Sequence, residues 1–220
     1  MFTGYSDQTV DMFWNIRFNN DREWFRGQKA QFDKVVMQPT KALAGELYEW
    51  FDAEYPQLHL NLHISRIYRD ARRLFGRGPL KDHIWFSFQN EIEGYAEAPC
   101  FWFEVGCEGY AYGMGYWMCA ADAMRWRREI DRDIPAMERL AKRFDAQKTL
   151  QLTGAEYARS KGHTGDALEH WYNKRDLSLS WRGGYDLLSY SPELLEQLKR
   201  EFTFLMPYYQ FADKVYRMVE

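Results

Sequence analysis

The stretch FWFEVGCEGYAYGMGYW, residues 101–117, decides how this chain folds. Phe101, Phe103 and Val105 recur every second residue. After a Glu108-Gly109 link, Tyr110, Tyr112, Met114 and Tyr116 do the same. Side chains two apart share one face of a strand, so the pattern is that of two strands joined by a short turn. Upstream, Ile84, Phe86 and Phe88 repeat the period. Farther back, over 59–70, Leu60, Leu62 and Ile64 alternate with His59, Asn61, His63 and Ser65. An antiparallel sheet of about four strands is the simplest arrangement of these runs, and 176–181 reads as a further strand. The aromatic run 110–117 could offer rings to a sugar or base, but such large side chains more often pack under helices. Its small alternates Ala111, Gly113 and Gly115 leave space for a close neighbour, either a helix or a ligand.

Around this centre the period lengthens to that of a helix. Ser6 or Asp7 can cap a helix carrying Val10, Phe13, Trp14 and Arg17. Asn20 with Glu23 resembles a capping box for a second helix bearing Trp24, Phe25, Phe32, Val35 and Val36. Pro39 restarts the helix, which runs to about Tyr55 with Leu43, Leu47, Trp50 and Phe51 on one side, and Pro56 ends it. Further helices are expected over 120–132 and 134–147, with a short one near 166–173 in an otherwise loop-rich region. Ser191 and Pro192 open the last one, with Leu194, Leu195, Leu198, Phe202 and Leu205 on its apolar side. Pro207 should kink or end it before a terminal helix to Met218. The expected fold class is α+β, a single domain over 1–220 with a mostly antiparallel sheet packed by helices from both ends of the chain.

The bulk numbers limit the function. A chain of 220 residues sits at the upper end of one core. Hydrophobic residues at 46% and charged residues at 28% are ordinary globular usage. An aromatic share of 18% predicts a core thick with rings. The 29 basic and 32 acidic residues are mixed, and the net charge of −3 gives nucleic acid no general attraction. Three cysteines without a CxxC argue against a disulfide framework or zinc knuckle. The first residues lack a secretory pattern and no stretch is long and apolar enough for a membrane span, so a reducing cytoplasm is the expected compartment. No cofactor or membrane partner is implied, and no protein partner is named.

Two segments carry a family resemblance. AsnAsnAspArgGluTrpPhe (19–25) with Lys29 resembles the opening signature of the DUF2461 family, proteins of unknown function. ArgIleTyrArgAspAlaArg (66–72), followed by Pro79 and Lys81, resembles its central signature. The Gly-rich strand into Trp117 and the Arg-x-x-Ile of Arg127 to Ile130 also fit, and the resemblance spans nearly the whole chain. After the central signature the family commonly reads Phe-Ser-x-Asp-Lys-x-Pro-Tyr-Lys. This chain has Arg73, Leu74, Phe75, Gly76, Arg77, Gly78, Pro79, Leu80, Lys81, and so loses the small polar, acidic and Tyr positions. The resemblance implies a fold class and no particular activity.

The charged residues of the central signature are the best candidate site. If Leu60, Leu62 and Ile64 face the core, Arg66, Tyr68 and Asp70 continue that face, where unpaired charges are costly. A bound anion would satisfy them, because guanidinium forks match carboxylate and phosphate. Arg66 and Arg69 would hold it, Asp70 would orient an Arg, and Arg72 and Lys81 would lie at the mouth, with Lys81 closing the rim. The turn lacks the spacing of a Walker loop. The expected function is therefore binding of a small anionic ligand at Arg66, Arg69, Asp70, Arg72 and Lys81, with catalysis unassigned. The alternative is a protein–protein interaction module whose charges form a structural ion-pair network. His83 could serve as a proton donor beside the cluster. His59 and His63 share a strand face without a third ligand for a metal. Glu91 and Glu93 could pair as carboxylates, and His163 and His170 have no Ser or Cys partner for a triad.

Overall fold

The computed structural model of the chain describes residues 1–90, 98–162 and 165–218. The suggested carboxylate pair, Glu91 and Glu93, and also His163, lie outside the described residues. The fold is α+β. Helices α1 (Asp7–Asn19), α2 (Arg22–Phe32) and α3 (Gln38–Glu54) precede strands β1 (Asn61–Ile64), β2 (His83–Gln89), β3 (Cys100–Gly106) and β4 (Gly109–Tyr116). Then come α4 (Ala120–Arg132), α5 (Ile134–Asp145), β5 (Gln151–Thr153), α6 (Glu169–Tyr172), β6 (Leu177–Gly183) and α7 (Glu193–Tyr216). The strands form one antiparallel sheet in the order β1-β2-β3-β4-β6-β5.

The apolar residues expected to share a face in β2, β3 and β4 are buried, with Ile84, Phe86, Phe88, Phe101, Phe103, Val105, Met114 and Tyr116 fully so; in β4 the alternate positions Ala111, Gly113 and Gly115 are buried as well. The sheet has six strands. The additional edge strand β5 pairs Gln151 with Ser180 and Thr153 with Ser178; three residues are too short to display a period. The close neighbour of Gly113 is backbone, since a Cβ there would lie 2.3 Å from the Leu179 carbonyl oxygen.

The chain forms two compact units. One comprises Met1–Phe88, Trp102–Tyr112 and Arg182–Arg200; the other comprises Gln89–Phe101, Gly113–Trp181 and Glu201–Glu220. In the first, α1 buries Thr9, Met12, Phe13 and Ile16. That stripe is turned one step from the suggested Val10, Phe13, Trp14, Arg17 row. Trp14 instead stacks on Phe18 at 5.6 Å and Arg17 lies 5.0 Å over the Trp14 ring, so these two partner each other at the surface. Between α2 and α3 the helix widens into a π turn, Asp33–Met37. Pro39 has no N–H to offer the carbonyl four residues back, that of Val35. The Thr9 hydroxyl donates to that oxygen at 2.7 Å, and the Thr40 hydroxyl donates to the Val36 oxygen at 2.7 Å. Rings of Tyr5, Phe86 and Phe103 stack beneath, with Phe86 to Phe103 at 5.1 Å.

In the second unit Trp126 donates its indole N–H to the Trp171 carbonyl at 2.8 Å, and Trp171 stacks on Tyr208 at 5.8 Å. Helix α7 runs unbroken through Pro207. Burial of Leu205, Met206, Tyr208 and Tyr209 around it outweighs the one backbone hydrogen bond that proline removes.

Candidate functional site

Beyond Ile64 the chain leaves the strand and changes phase. Ser65 donates its N–H to the Trp85 oxygen at 2.8 Å, Lys81 donates to Ile67 at 2.8 Å, and Arg69 donates to Pro79 at 2.8 Å. Residues 65–69 thus pair with 79–85, with Tyr68 opposite Leu80. Ser65, Ile67 and Leu80 are buried, whereas Arg66, Tyr68 and Asp70 are exposed. The expectation that Arg66 and Asp70 continue the oily face of β1 is therefore corrected. Leu60 points inward from one phase and Ile67 from the other, so the charges after Ile64 fall on the solvent side.

The five candidate residues do not form one cluster. Asp70 caps the short turn Ala71–Arg73 by accepting the Arg72 N–H at 3.0 Å. It also takes the Arg72 guanidinium in a fork, at 3.1 Å from Nε and 2.8 Å from Nη2. The Arg that Asp70 orients is thus the exposed Arg72. Arg66 has no hydrogen-bond or ion-pair partner among the described residues.

Arg69 and Lys81 do come together. Arg69 spends Nε on the Leu80 carbonyl at 3.0 Å, leaving its terminal nitrogens without a partner among the described residues. Lys81 is half-buried, with its amine 5.7 Å from the centre of the Trp85 ring. Burial pushes the Lys81 amine down to about 8; repulsion from Arg69 adds to this, and Glu104 only partly offsets it. Neither cation lies within ion-pair distance of a carboxylate among the described residues.

Asn20 fixes the loop that presents them. Its side chain accepts the Leu80 N–H at 2.8 Å and donates to the Leu80 carbonyl at 3.0 Å. A Cβ on Gly78 would sit 2.3 Å from the Asn20 side-chain oxygen, which explains the glycine. Asn20 is thus not the cap of α2. That is Asp21, which accepts the N–H groups of Glu23 and Trp24 at 2.8 Å each. The opening and central signatures meet at this contact.

Next to Lys81, an open cleft of about 280 Å³ is lined by Arg17, Asp82, His83, Glu104, Glu108 and Arg182 among others. Arg17 bridges Asp82 at 2.7 Å and Glu108 at 2.6 Å. His83 touches Asp82 at 3.1 Å and Glu104 at 4.0 Å, and Arg182 pairs with Glu104 at 3.0 Å. Burial works to raise the Asp82 carboxyl, but the hydrogen bonds from Arg17 and His83 outweigh it and hold it below its ordinary range. Burial and the Asp82 charge push the Cys107 thiol up, so it is no thiolate nucleophile at neutral pH. This chain of linked polar contacts was missed from the sequence. Its members lie on α1, at and just before the start of β2, on β3, in the β3–β4 turn and on β6, and no local spacing links them all.

Two further described histidines have other contacts. His63 packs on Trp85 at 5.3 Å and His170 contacts Glu156 at 3.3 Å. Among the described residues no group of three or more His, Cys, Asp or Glu is placed to hold a metal ion. No helix among them is long and apolar enough to cross a membrane.

Fold and site together define an α+β protein with a signature-built loop that holds two unneutralised cations beside an ion-paired cleft. Residues 8–211 match the model of the conserved hypothetical protein family DUF2461, and the chain belongs to that family. No curated protein shows significant similarity to it.

Proposed function

We propose that this protein binds a small phosphate- or carboxylate-bearing ligand between Arg69 and Lys81. One observation carries the reading: the half-buried Lys81 amine feels the Arg69 charge, Glu104 only partly offsets it, and neither cation lies within ion-pair distance of a carboxylate among the described residues. Such an arrangement costs folding energy and is relieved by an anion. Arg66, Asp70 and Arg72 drop out of the proposed contact set, because Arg66 faces solvent and the other two satisfy each other. The three cysteines are unbridged, which suits a reducing, cytoplasmic setting.

Thermal unfolding of wild type and Lys81→Met, with and without inorganic phosphate, pyrophosphate and citrate, tests the proposal. Lys81→Met should raise the melting temperature of the free protein by about 2–4 °C and abolish the shift caused by the anion. A lower melting temperature together with an unchanged anion response removes the reading. A second reading, a protein-interaction module with structural charges, is favoured by the ion pairs from Glu108 through Arg17, Asp82, His83 and Glu104 to Arg182. Under it, no anion alters stability at millimolar concentration and Glu104→Gln costs about 1 kcal/mol.

A further inference from the structure

The second unit contains another group of unneutralised cations, built around one ring. Between β4 and α4 the indole of Trp117 is 61% exposed. It lines an open cavity of about 400 Å³ together with Met118, Tyr157, Arg175 and Asp176. That volume falls within the range occupied by small-molecule sites, about 300–1,000 Å³.

The segment bearing Tyr157 is anchored. Lys174 is only 3% exposed and donates to the Gly154 carbonyl at 3.2 Å and to Glu156 at 2.8 Å. Tyr157 donates its N–H to the Asn173 oxygen at 3.0 Å. Lys161 donates its backbone N–H to the Asn173 side chain at 2.7 Å. The phenol ring of Tyr157 is thereby held in place, and three cations gather about it. Lys161 Nζ lies 4.8 Å from the ring centre, Arg127 Cζ 5.2 Å and Arg175 Cζ 5.9 Å.

An aromatic face attracts a cation, but three cations on one ring repel one another. None of the three has an ion-pair partner among the described residues. Of the nearby carboxylates, Glu156 is taken by Lys174 and His170; Asp131 accepts the Tyr172 hydroxyl and Asp176 the Ala155 N–H, and neither lies within ion-pair distance of the three cations. Nη1 of Arg127 is buried without a hydrogen-bond partner among the described residues, and a buried donor of this kind is costly unless something fills its valence. The site thus combines two features: excess positive charge carried on an anchored backbone segment and its neighbours, and a large indole face open to solvent beside it.

We infer that this cavity is a second ligand site, for a nucleoside phosphate. The planar base lies on Trp117, and the phosphate is met by Arg175, which lines the cavity, and by Arg127 and Lys161 around the lining residue Tyr157. Asp176 is available to a donor such as a ribose hydroxyl. Because the three cations converge on a single ring and do not form a strip, the ligand is a free mononucleotide and not a strand of nucleic acid.

Titration calorimetry with AMP, GMP, CMP and UMP tests this, with adenosine, inorganic phosphate and a short oligoadenylate as separate arms. At least one mononucleotide should bind below about 1 mM. Its nucleoside and phosphate alone should each bind at least about tenfold more weakly, and the oligonucleotide no more tightly. Arg175→Ala, Lys161→Ala and Trp117→Ala change exposed or rim side chains, so the fold should persist; each should weaken binding about tenfold. Lys81→Met should leave it unchanged. Absence of binding by all four mononucleotides, affinity unmoved by the three substitutions, tenfold tighter binding of the oligonucleotide, or loss of binding in Lys81→Met would each overturn the inference. Failure of the phosphate response at Arg69 and Lys81 would leave this site intact, because the two share no residue.

Discussion

At the scale of single residues, Lys81 determines how stability and binding depend on pH. Its amine loses its proton near 8 in the folded protein, against an ordinary 10.5. Below pH 8 folded and unfolded chains both carry the charge, and the folded state bears the full penalty of burying it. Between about 8 and 10.5 the unfolded chain retains the proton and the folded one has lost it, so this group's penalty fades as pH rises. The shift alone corresponds to about 3 kcal/mol; after allowance for the solvent-exposed part of the side chain, about 1 kcal/mol is expected. Urea denaturation should therefore find Lys81→Met more stable than wild type by about that amount at pH 7, with the advantage gone by about pH 10.5. Anion binding at Arg69 and Lys81 has the opposite trend. It needs the ammonium, so affinity falls as pH passes about 8, and calorimetry near pH 8.5 in buffers of different ionisation heat should record proton uptake. Flat affinity to pH 10 would exclude Lys81 as a contact.

At the scale of elements, two contacts hold the helical frame to the candidate loop and to itself. Asn20 serves both polar groups of the fully buried Leu80 peptide unit. Asn20→Ala should cost about 1–2 kcal/mol, because the buried Leu80 N–H loses its partner while the carbonyl keeps the Arg69 Nε donor. Gly78→Ala should cost a similar amount, since its methyl meets Asn20 at 2.3 Å. In the double mutant the second cost should shrink, because the obstructing side chain is gone; strict additivity in a double-mutant cycle would count against the contact. Thr9→Val should cost about 1–2 kcal/mol by leaving the Val35 oxygen without its hydroxyl donor beside Pro39. These same elements show what the sequence could reveal. The strands of β2, β3 and β4 were legible because their large apolar residues recur at every second position, although β4 is buried on both faces. The stripe Leu43, Leu47, Phe51 of α3 was legible because helical packing imposes 3.6. Asn20 was read as a cap because Asn and Asp serve that role equally well, and only the distant Leu80 distinguishes it from Asp21. The phase change after Ile64 was hidden because β1 is a short edge strand. Its partner beyond Ile64 is set by hydrogen bonds to Trp85 and Pro79, which leave no periodic mark.

At the scale of the whole molecule, the net charge of −3 conceals where positive charge is left uncompensated. Many cations have local partners: Lys29 with Asp33, Arg125 with Asp122, Lys199 with Glu196 and Arg217 with Asp213 are all neighbours in sequence. Isolated unpaired cations in water cost little. The exceptions are places where two or three are brought together, Arg69 with Lys81 in one unit and Arg127, Lys161 and Arg175 about Tyr157 in the other. The first group was visible in the sequence because the two segments that hold it belong to one signature. The second was not, since its members come from α4, the 157–161 segment and the bend before β6. Two groups without a common residue should respond separately to ligand. Each ligand that binds only the folded chain adds RT ln(1 + [L]/Kd) to its stability. In protein already saturated with inorganic phosphate, AMP should therefore add its full increment in melting temperature. If Arg175→Ala is introduced, the AMP increment should shrink by the equivalent of about a tenfold rise in Kd while the phosphate increment stays as it was, because Arg175 belongs to only one of the two groups. Mutual cancellation of the two increments in the wild-type protein would mean that both ligands use one site, and the pairing of cations with ligands across the molecule would have to be redrawn around Lys81 alone.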